Sequence, residues 1–152
     1  MAKRVFDTLA AMQALVGENV GTSEWITVTQ ERIQLFADAT GDHQWIHLDA
    51  ERAKAGPFGT TIAHGFFTLS LLPEMSASAM EVQGTRMGVN YGLNKVRFPA
   101  PVPSGSRLRG HFKLLKYEPL EGGAQLTTEV TMEREGSDKP VCVAESLARR
   151  FV

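Results

Sequence analysis

A single cysteine, Cys142, in 152 residues leaves no partner for an intramolecular disulfide and no thiolate set for a zinc site. Nothing in the cysteine usage points to secretion, and a reducing, cytoplasmic setting is the expectation. No run of about 18 apolar residues occurs, so no helix is expected to span a bilayer. Sixteen Lys and Arg against 17 Asp and Glu give a net charge of −1, which argues against a dedicated nucleic-acid or anionic-membrane binder. Neither a repeat with a period of roughly 20 to 50 residues nor a low-complexity stretch divides the chain. The balance of 43% hydrophobic and 22% charged residues, with 14 Gly and 7 Pro, excludes disordered, collagen-like and coiled-coil classes. One domain over residues 1–152 is expected.

The period of the hydrophobic pattern changes along the chain. Residues 1–12 carry a basic pair before apolar residues, but Asp7, Gln13 and Glu18 interrupt any signal-peptide core, and the segment reads as a short amphipathic helix. A Thr27-x-x-Gln30 capping pattern precedes Ile33, Phe36 and Ala37, which share one helical face, and Gly41 supplies the stop. Asp49 can cap a second short helix through Ala55, leaving residues 42–47 as a loop. Residues 62–80 are apolar nearly all round, as in a helix buried on most sides, and Pro73 should kink it or end its first part. From Met87 the period becomes two through Leu93, then shifts phase toward Val96 and Phe98, suggesting a bulge near Asn94 and Lys95. Alternation returns at Leu108, Phe112 and Leu114, again at Leu126 to Met132, and in a last strand from about Val141 to Phe151. Turns at 121–123 and 135–138 join these strands as hairpins. Long antiparallel strands after one apolar helix give an α+β domain whose sheet wraps that helix, a hot-dog arrangement with open strand edges that pairing into a dimer would remedy.

Charge is unevenly spread. Residues 1–81 carry 5 basic and 10 acidic groups, whereas Arg86, Lys95, Arg97, Arg107, Arg109, Lys113 and Lys116 fall between residues 82 and 117 with no acid among them. Two adjacent strands would make these a positive strip, either solvated outer-face side chains or a landing site for the phosphates of a polyanionic small molecule such as coenzyme A. The most informative segment is Ala-Thr-Gly-Asp-His-Gln-Trp-Ile-His-Leu-Asp at 39–49. On one continuous helix Asp42 and His47 would lie about 140° apart; in a loop after Gly41 they can converge on one water as an acid/base pair. A solvated loop with His47 bound only to structure is the competing reading. A metal held by His43 and His47 with Asp42, Asp49 or His64 is disfavoured, since the helix that four-residue spacing needs is doubtful after Gly41 and no H-E-x-x-H glutamate is present. His64 and Gly65 open the apolar helix, whose first N–H groups lack intrahelical partners and can hold a developing oxyanion, unless Gly65 serves only a turn or tight packing. Trp45, Phe58, Phe66 and Phe67 could line an acyl tunnel or belong to the core, and Cys142 reads as packing.

The stretch from Phe36 to Asp49, followed by Gly-Thr-Thr-Ile-Ala-His-Gly-Phe-Phe at 59–67 and by Asn-Tyr-Gly-Leu-Asn-Lys-Val-Arg-Phe-Pro at 90–99, resembles the MaoC-type (R)-specific enoyl-CoA hydratases, in particular their NodN-like branch. The likeness runs from about residue 18 to the end. Gln44 and Trp45 replace the usual Asn-Pro of that family, and Pro73 stands where some members carry a serine, with Ser70 as a substitute. The resemblance implies a hot-dog homodimer and reversible syn addition of water across trans-2-enoyl-CoA to give (R)-3-hydroxyacyl-CoA. No metal or redox cofactor is expected, coenzyme A being part of the substrate. Asp42, His47 and Gly65 are the implied catalytic positions, with Asp42 taking a proton from the water and His47 orienting and relaying, a division the sequence leaves open. Trp45, His64, Phe66, Asn94 and Arg97 are the candidate substrate-binding positions. A hot-dog acyl-CoA thioesterase and a non-catalytic acyl-CoA-binding module remain as alternatives.

Overall fold

The computed structural model describes residues 2–152. Four long strands dominate it: β5 (Met87–Arg97), β6 (Arg107–Leu120), β7 (Gly123–Arg134) and β8 (Cys142–Phe151). With the short strands β2 (Asn19–Thr22) and β3 (Ile26–Thr27) they form one antiparallel sheet in the order β2, β6, β7, β8, β5, with β3 continuing beside β6. A parallel pair, β1 (Arg4–Phe6) with β4 (Met80–Val82), lies apart from it. The helices are α1 (Gln30–Thr40), α2 (Trp45–Leu48), α3 (Ala50–Lys54), α4 (Gly65–Ser70) and α5 (Leu72–Ala79), preceded by a 3-10 turn at Ala10–Leu15.

Alternation places Leu108, Phe112 and Leu114 of β6, Leu126, Val130 and Met132 of β7, and Cys142 and Ala144 of β8 on one buried face, where they meet Phe67, Leu71, Met75 and Ala79 of α4 and α5 in a single core cluster. The sheet wraps the helix pair, the hot-dog arrangement expected. Pro73 lies in the first turn of α5, where its missing N–H costs nothing, and the helix breaks just before it at Leu71. Close approach is made possible by small residues. A Cβ on Gly21 would sit 2.8 Å from the Ala79 carbonyl oxygen, and one on Gly110 would sit 2.9 Å from Met75 Sδ.

Several expectations need correction. Residues 4–6 extend as β1 beside β4, and only Ala10–Leu15 coils, so the amphipathic helix at the start is much shorter than read. The cap of α1 is Thr29, whose hydroxyl accepts from Arg32 N at 3.2 Å; Thr27 belongs to β3, which the sequence did not announce. Residues 45–48 form a helical turn rather than loop. The buried helix begins at Gly65, not Ile62, because Ile62 is tied into a bridge with Pro103.

The positive strip is not a strip: β5 and β6, consecutive among the long strands, lie on opposite sides of β7 and β8, because β5 pairs with the last strand instead of the next. Arg107 and Arg109 of β6 are also met by Glu135 and Glu133. Expected bulges do occur, with register shifts at Leu93/Lys95 and, in addition, at Asn90/Gly92.

Gly21→Ala strikes backbone that cannot yield, whereas Gly110→Ala strikes the flexible end of a methionine. Chemical denaturation is expected to show a loss of about 1–3 kcal/mol for Gly21→Ala and a smaller one for Gly110→Ala; equal effects would show that the β2–α5 contact is not rigid.

Candidate active site

Helix α1 ends at Gly41, which adopts a left-handed φ of 85° and returns its N–H to Ala37 O at 2.8 Å. That stop releases Asp42 into a short bend, where its Oδ1 accepts from Gln44 N at 3.3 Å before α2 starts. The single turn of α2 presents His47 inward. Its downstream end is held by Asp49, which caps α3 by accepting from Arg52 N at 3.0 Å.

His47 is only 6% exposed and hydrogen-bonded in a defined way. Its Nδ1 lies 2.7 Å from the Ile62 carbonyl oxygen. A carbonyl can only accept, so Nδ1 carries the proton, and in the neutral ring Nε2 is left as an acceptor. Nε2 faces Asp42 Oδ2 at 4.0 Å, too far for a direct hydrogen bond and suited to a bridging water. Burial pushes the imidazole below its ordinary value, and the nearby His64 adds to that effect against the opposing pulls of the Ile62 carbonyl and Asp42. Behind it, Gln30 Nε2 donates to His47 O at 2.7 Å while Gln30 Oε1 accepts from Thr61 Oγ1 at 2.7 Å, pinning the backbone of α2.

His64, the residue before α4, is stacked on His47 with centroids 3.9 Å apart and planes at 26°. It donates from Nε2 to the Asp42 carbonyl at 3.0 Å, and its buried Nδ1 has no partner. Gly65 opens α4, and the first intrahelical bond is Thr68 N to His64 O, so the Gly65 N–H precedes the helical ladder. A Cβ on Gly65 would fall 2.8 Å from the Phe98 ring. His47, Gly65 and Thr68 share a cavity of about 370 Å³ with Phe58 and the segment from Phe98 to Val102.

Asp42, His47 and His64 offer donor atoms within 4.8 Å of one another, enough by count for a metal. Zinc about 2.0–2.1 Å from each nitrogen would need ring lone pairs that converge, and stacked rings aim them nearly parallel. The set suits a water or a polar ligand better.

Of the positions read from sequence, Asp42, His47, His64 and Gly65 come together. His47 and Gly65 line the cavity, whereas Asp42 and His64 flank His47 outside its lining; Trp45, Phe66, Asn94 and Arg97 also lie outside it in the single chain. Trp45 turns toward Gly56 and lies under the Arg52 guanidinium at 4.2 Å. Phe66 is 70% exposed, edge-on to Phe98. Asn94 Nδ2 donates to Glu145 at 2.6 Å, and Arg97 Nη1 to the Val96 carbonyl at 2.8 Å, both on exposed edge strand β5. Ser70 Oγ is spent on Phe66 O at 2.6 Å. Burial pushes the Cys142 thiol up to about 11, so it stays protonated. Gln30, Thr61 and Thr68 escaped the sequence reading. Gln30 was visible only as part of a capping pattern, and nothing local marks the two threonines.

Comparison with known proteins identifies the family of the chain. The profile of the MaoC like domain matches residues 11–135. The chain is 59% identical over 147 residues to 3-hydroxyacyl-thioester dehydratase Z of Mycobacterium tuberculosis, covering 96% of this chain and 97% of that one. It is 50% identical over 141 residues to nodulation protein N of Rhizobium leguminosarum bv. viciae, covering 90% and 87%. Among solved structures, the unliganded R-hydratase PhaJ1 from Pseudomonas aeruginosa superposes with a TM-score of 0.70 at 25% identity, covering 90% of this chain and 81% of that one.

The depressed His47 value has a thermodynamic consequence. The unfolded ring titrates near 6.5 and the folded one lower, so acidification through that window loads protons onto the unfolded chain first. Unfolding free energy is expected to fall as pH drops below 6.5, and His47→Gln should remove that component. A urea midpoint that changes identically with pH in both proteins would contradict it.

Proposed function

This chain belongs to the MaoC-like dehydratase family, and from that membership together with the His47 geometry we propose that it catalyses reversible syn hydration of trans-2-enoyl-CoA to (R)-3-hydroxyacyl-CoA. The observation that carries the reading is the commitment of His47 Nδ1 to Ile62 O, which leaves Nε2 as an acceptor facing the Asp42 carboxylate.

A water between Asp42 Oδ2 and His47 Nε2 gives one hydrogen to each, so its oxygen lone pair faces the β-carbon of a thioester lying in the cavity. As the oxygen–carbon bond forms, the water proton passes to Nε2. The π electrons move to the thioester oxygen, and the N–H of Gly65 stabilises the resulting enolate. Imidazolium, steadied by Asp42, then returns that proton to the α-carbon. One pair of side chains supplies both steps from one side, so hydrogen and hydroxyl enter the same face. The tautomer supports His47 as the proton acceptor and Asp42 as the orienting anion, the reverse of the division considered from sequence. Protein groups supply every proton transfer, so the mechanism calls for no metal or redox cofactor.

The same reading includes a homodimer. Strand β5 is an edge that pairs with β8 alone among the described strands, and it exposes Met87, Val89, Tyr91 and Leu93. A second copy paired there buries this surface and brings Asn94 and Arg97 against another chain's face.

Hydration of crotonyl-CoA and longer 2-enoyl-CoAs is expected to fall on the order of 10²–10⁴-fold in Asp42→Asn and His47→Gln, and about 10²–10³-fold in Gly65→Ala. Undiminished turnover in both dyad variants overturns the assignment. Release of free CoA without hydration would favour a thioesterase instead, and tight binding without turnover a carrier. Light scattering is expected to give a dimer that Val89→Arg with Leu93→Arg converts to monomer; a wild-type monomer would sink the pairing.

A further inference from the structure

A second cavity, of about 310 Å³, lies between α5 and the inner faces of β7, β8 and β5. Between it and the candidate-site cavity lies another, which shares Leu72, Pro73, Asn90 and Ser146 with it. Along the helices the walls pass from Gly65 and Thr68, through Leu69 and Ser70, to Pro73 and Ser76; along β8 they pass from Val141 through Ser146 to Arg150. Ser76 lies eleven residues beyond Gly65 along the helix pair, a rise of at most about 16 Å. The space therefore lies past the dyad, in the direction an acyl chain would extend from a thioester held at Gly65.

Arg150 stands in the far wall. It is half-buried, and its side chain has no hydrogen bond, ion pair or ring contact among the described residues. Its neighbour Arg149 points to the other face and is fully engaged, donating to Gln125 Oε1 at 2.9 Å and lying 3.6 Å over the Tyr91 ring. Burial pushes the Arg150 guanidinium down from its ordinary value, yet an arginine keeps its charge. A half-buried guanidinium that faces a cavity with no acid beside it presents its donors to any anion that enters. No carboxylate lines this cavity. The polar groups beside Arg150 are Asn90, Thr128, Ser146 and Ser76, and the remaining wall is apolar, including Val20, Phe112 and Leu126.

We propose that Arg150 recognises a carboxylate at the distal end of the acyl group, so that this chain selects ω-carboxylated acyl thioesters over methyl-terminated ones. The inference rests on the enoyl-thioester reading above and names its substrate class. A guanidinium fork matches a carboxylate with two parallel hydrogen bonds, Asn90 and the hydroxyls can satisfy its remaining lone pairs, and the apolar wall covers the methylene chain. The phosphates of coenzyme A are a poorer match, since they lie on the other side of the thioester from the acyl chain.

Binding of saturated ω-carboxyacyl-CoAs and methyl-terminated acyl-CoAs of graded, matched length tests this without relying on turnover. Wild type is expected to favour the ω-carboxylated member at one optimal length. Arg150→Met should erase that preference by on the order of 10- to 100-fold, Arg150→Lys should keep part of it, and the affinity for free CoA should not change. Equal wild-type affinities at every length overturn the proposal whatever the variants do. So do a preference that survives Arg150→Met, an equal loss of free CoA binding, and loss of dimer with selectivity intact, which would assign the arginine to an acid of a second copy. Hydration of the matching 2-enoyl-CoAs is measured separately. Selective binding without hydration removes the catalytic reading and leaves the carboxylate subsite, whereas hydration of methyl-terminated substrates alone removes the subsite and leaves the catalyst.

Discussion

The hydrogen bond from His47 Nδ1 to the Ile62 carbonyl is the contact on which the geometry of the candidate site depends. It is short, at 2.7 Å, and buried, so no water competes for either group. It fixes the tautomer and so decides that the nitrogen facing Asp42 accepts. Ile62 is held on both sides: its N–H donates to Ile46 O at 3.0 Å, and the residue bridges to Pro103. The ring thus hangs from a segment anchored in two directions, while Gln30 fixes the backbone that carries it. Such support from surrounding hydrogen bonds holds the imidazole in one orientation before any ligand arrives.

The wrapped sheet performs a different task. Four long strands cover α4 and α5 on one side and join them in a single buried core. The sheet order sends β5 to the edge beside β8, so the strand carrying Tyr91, Leu93, Asn94 and Arg97 is also the most open surface of the fold. Asp42, His47 and Gly65 sit at the helix start, while the open edge strand β5 supplies Asn90, Gly92 and Leu93 to the walls farther along the helices.

How much of this was legible varied with the range of the interactions. The helix over 30–40, its glycine stop, the Asp49 cap, the break before Pro73 and the hairpins after Gly84 depend on neighbours within a few residues, and pattern reading found them. The short strands β2 and β3 escaped because four and two residues carry too little alternation to register. The supposed basic strip failed for another reason. Proximity in sequence suggested a strand pair, and only the ladder shows two strands between them.

At the site, residue types and order were enough to single out Asp42, His47, His64 and Gly65, because a glycine stop, a one-turn helix and a second helix start are local features. What the sequence alone determined was therefore which groups the chain carries to the groove and on which elements. The tertiary fold decided the rest: which nitrogen of His47 holds the proton, that His64 stacks on it, and that Trp45 and Phe66 turn away. It also left Arg150 without a partner inside the sheet. Those outcomes depend on atoms from segments 15 to 60 or more residues apart meeting in a dry interior, and hydrogen-bond direction and counter-ion supply are settled only when such distant segments come into contact.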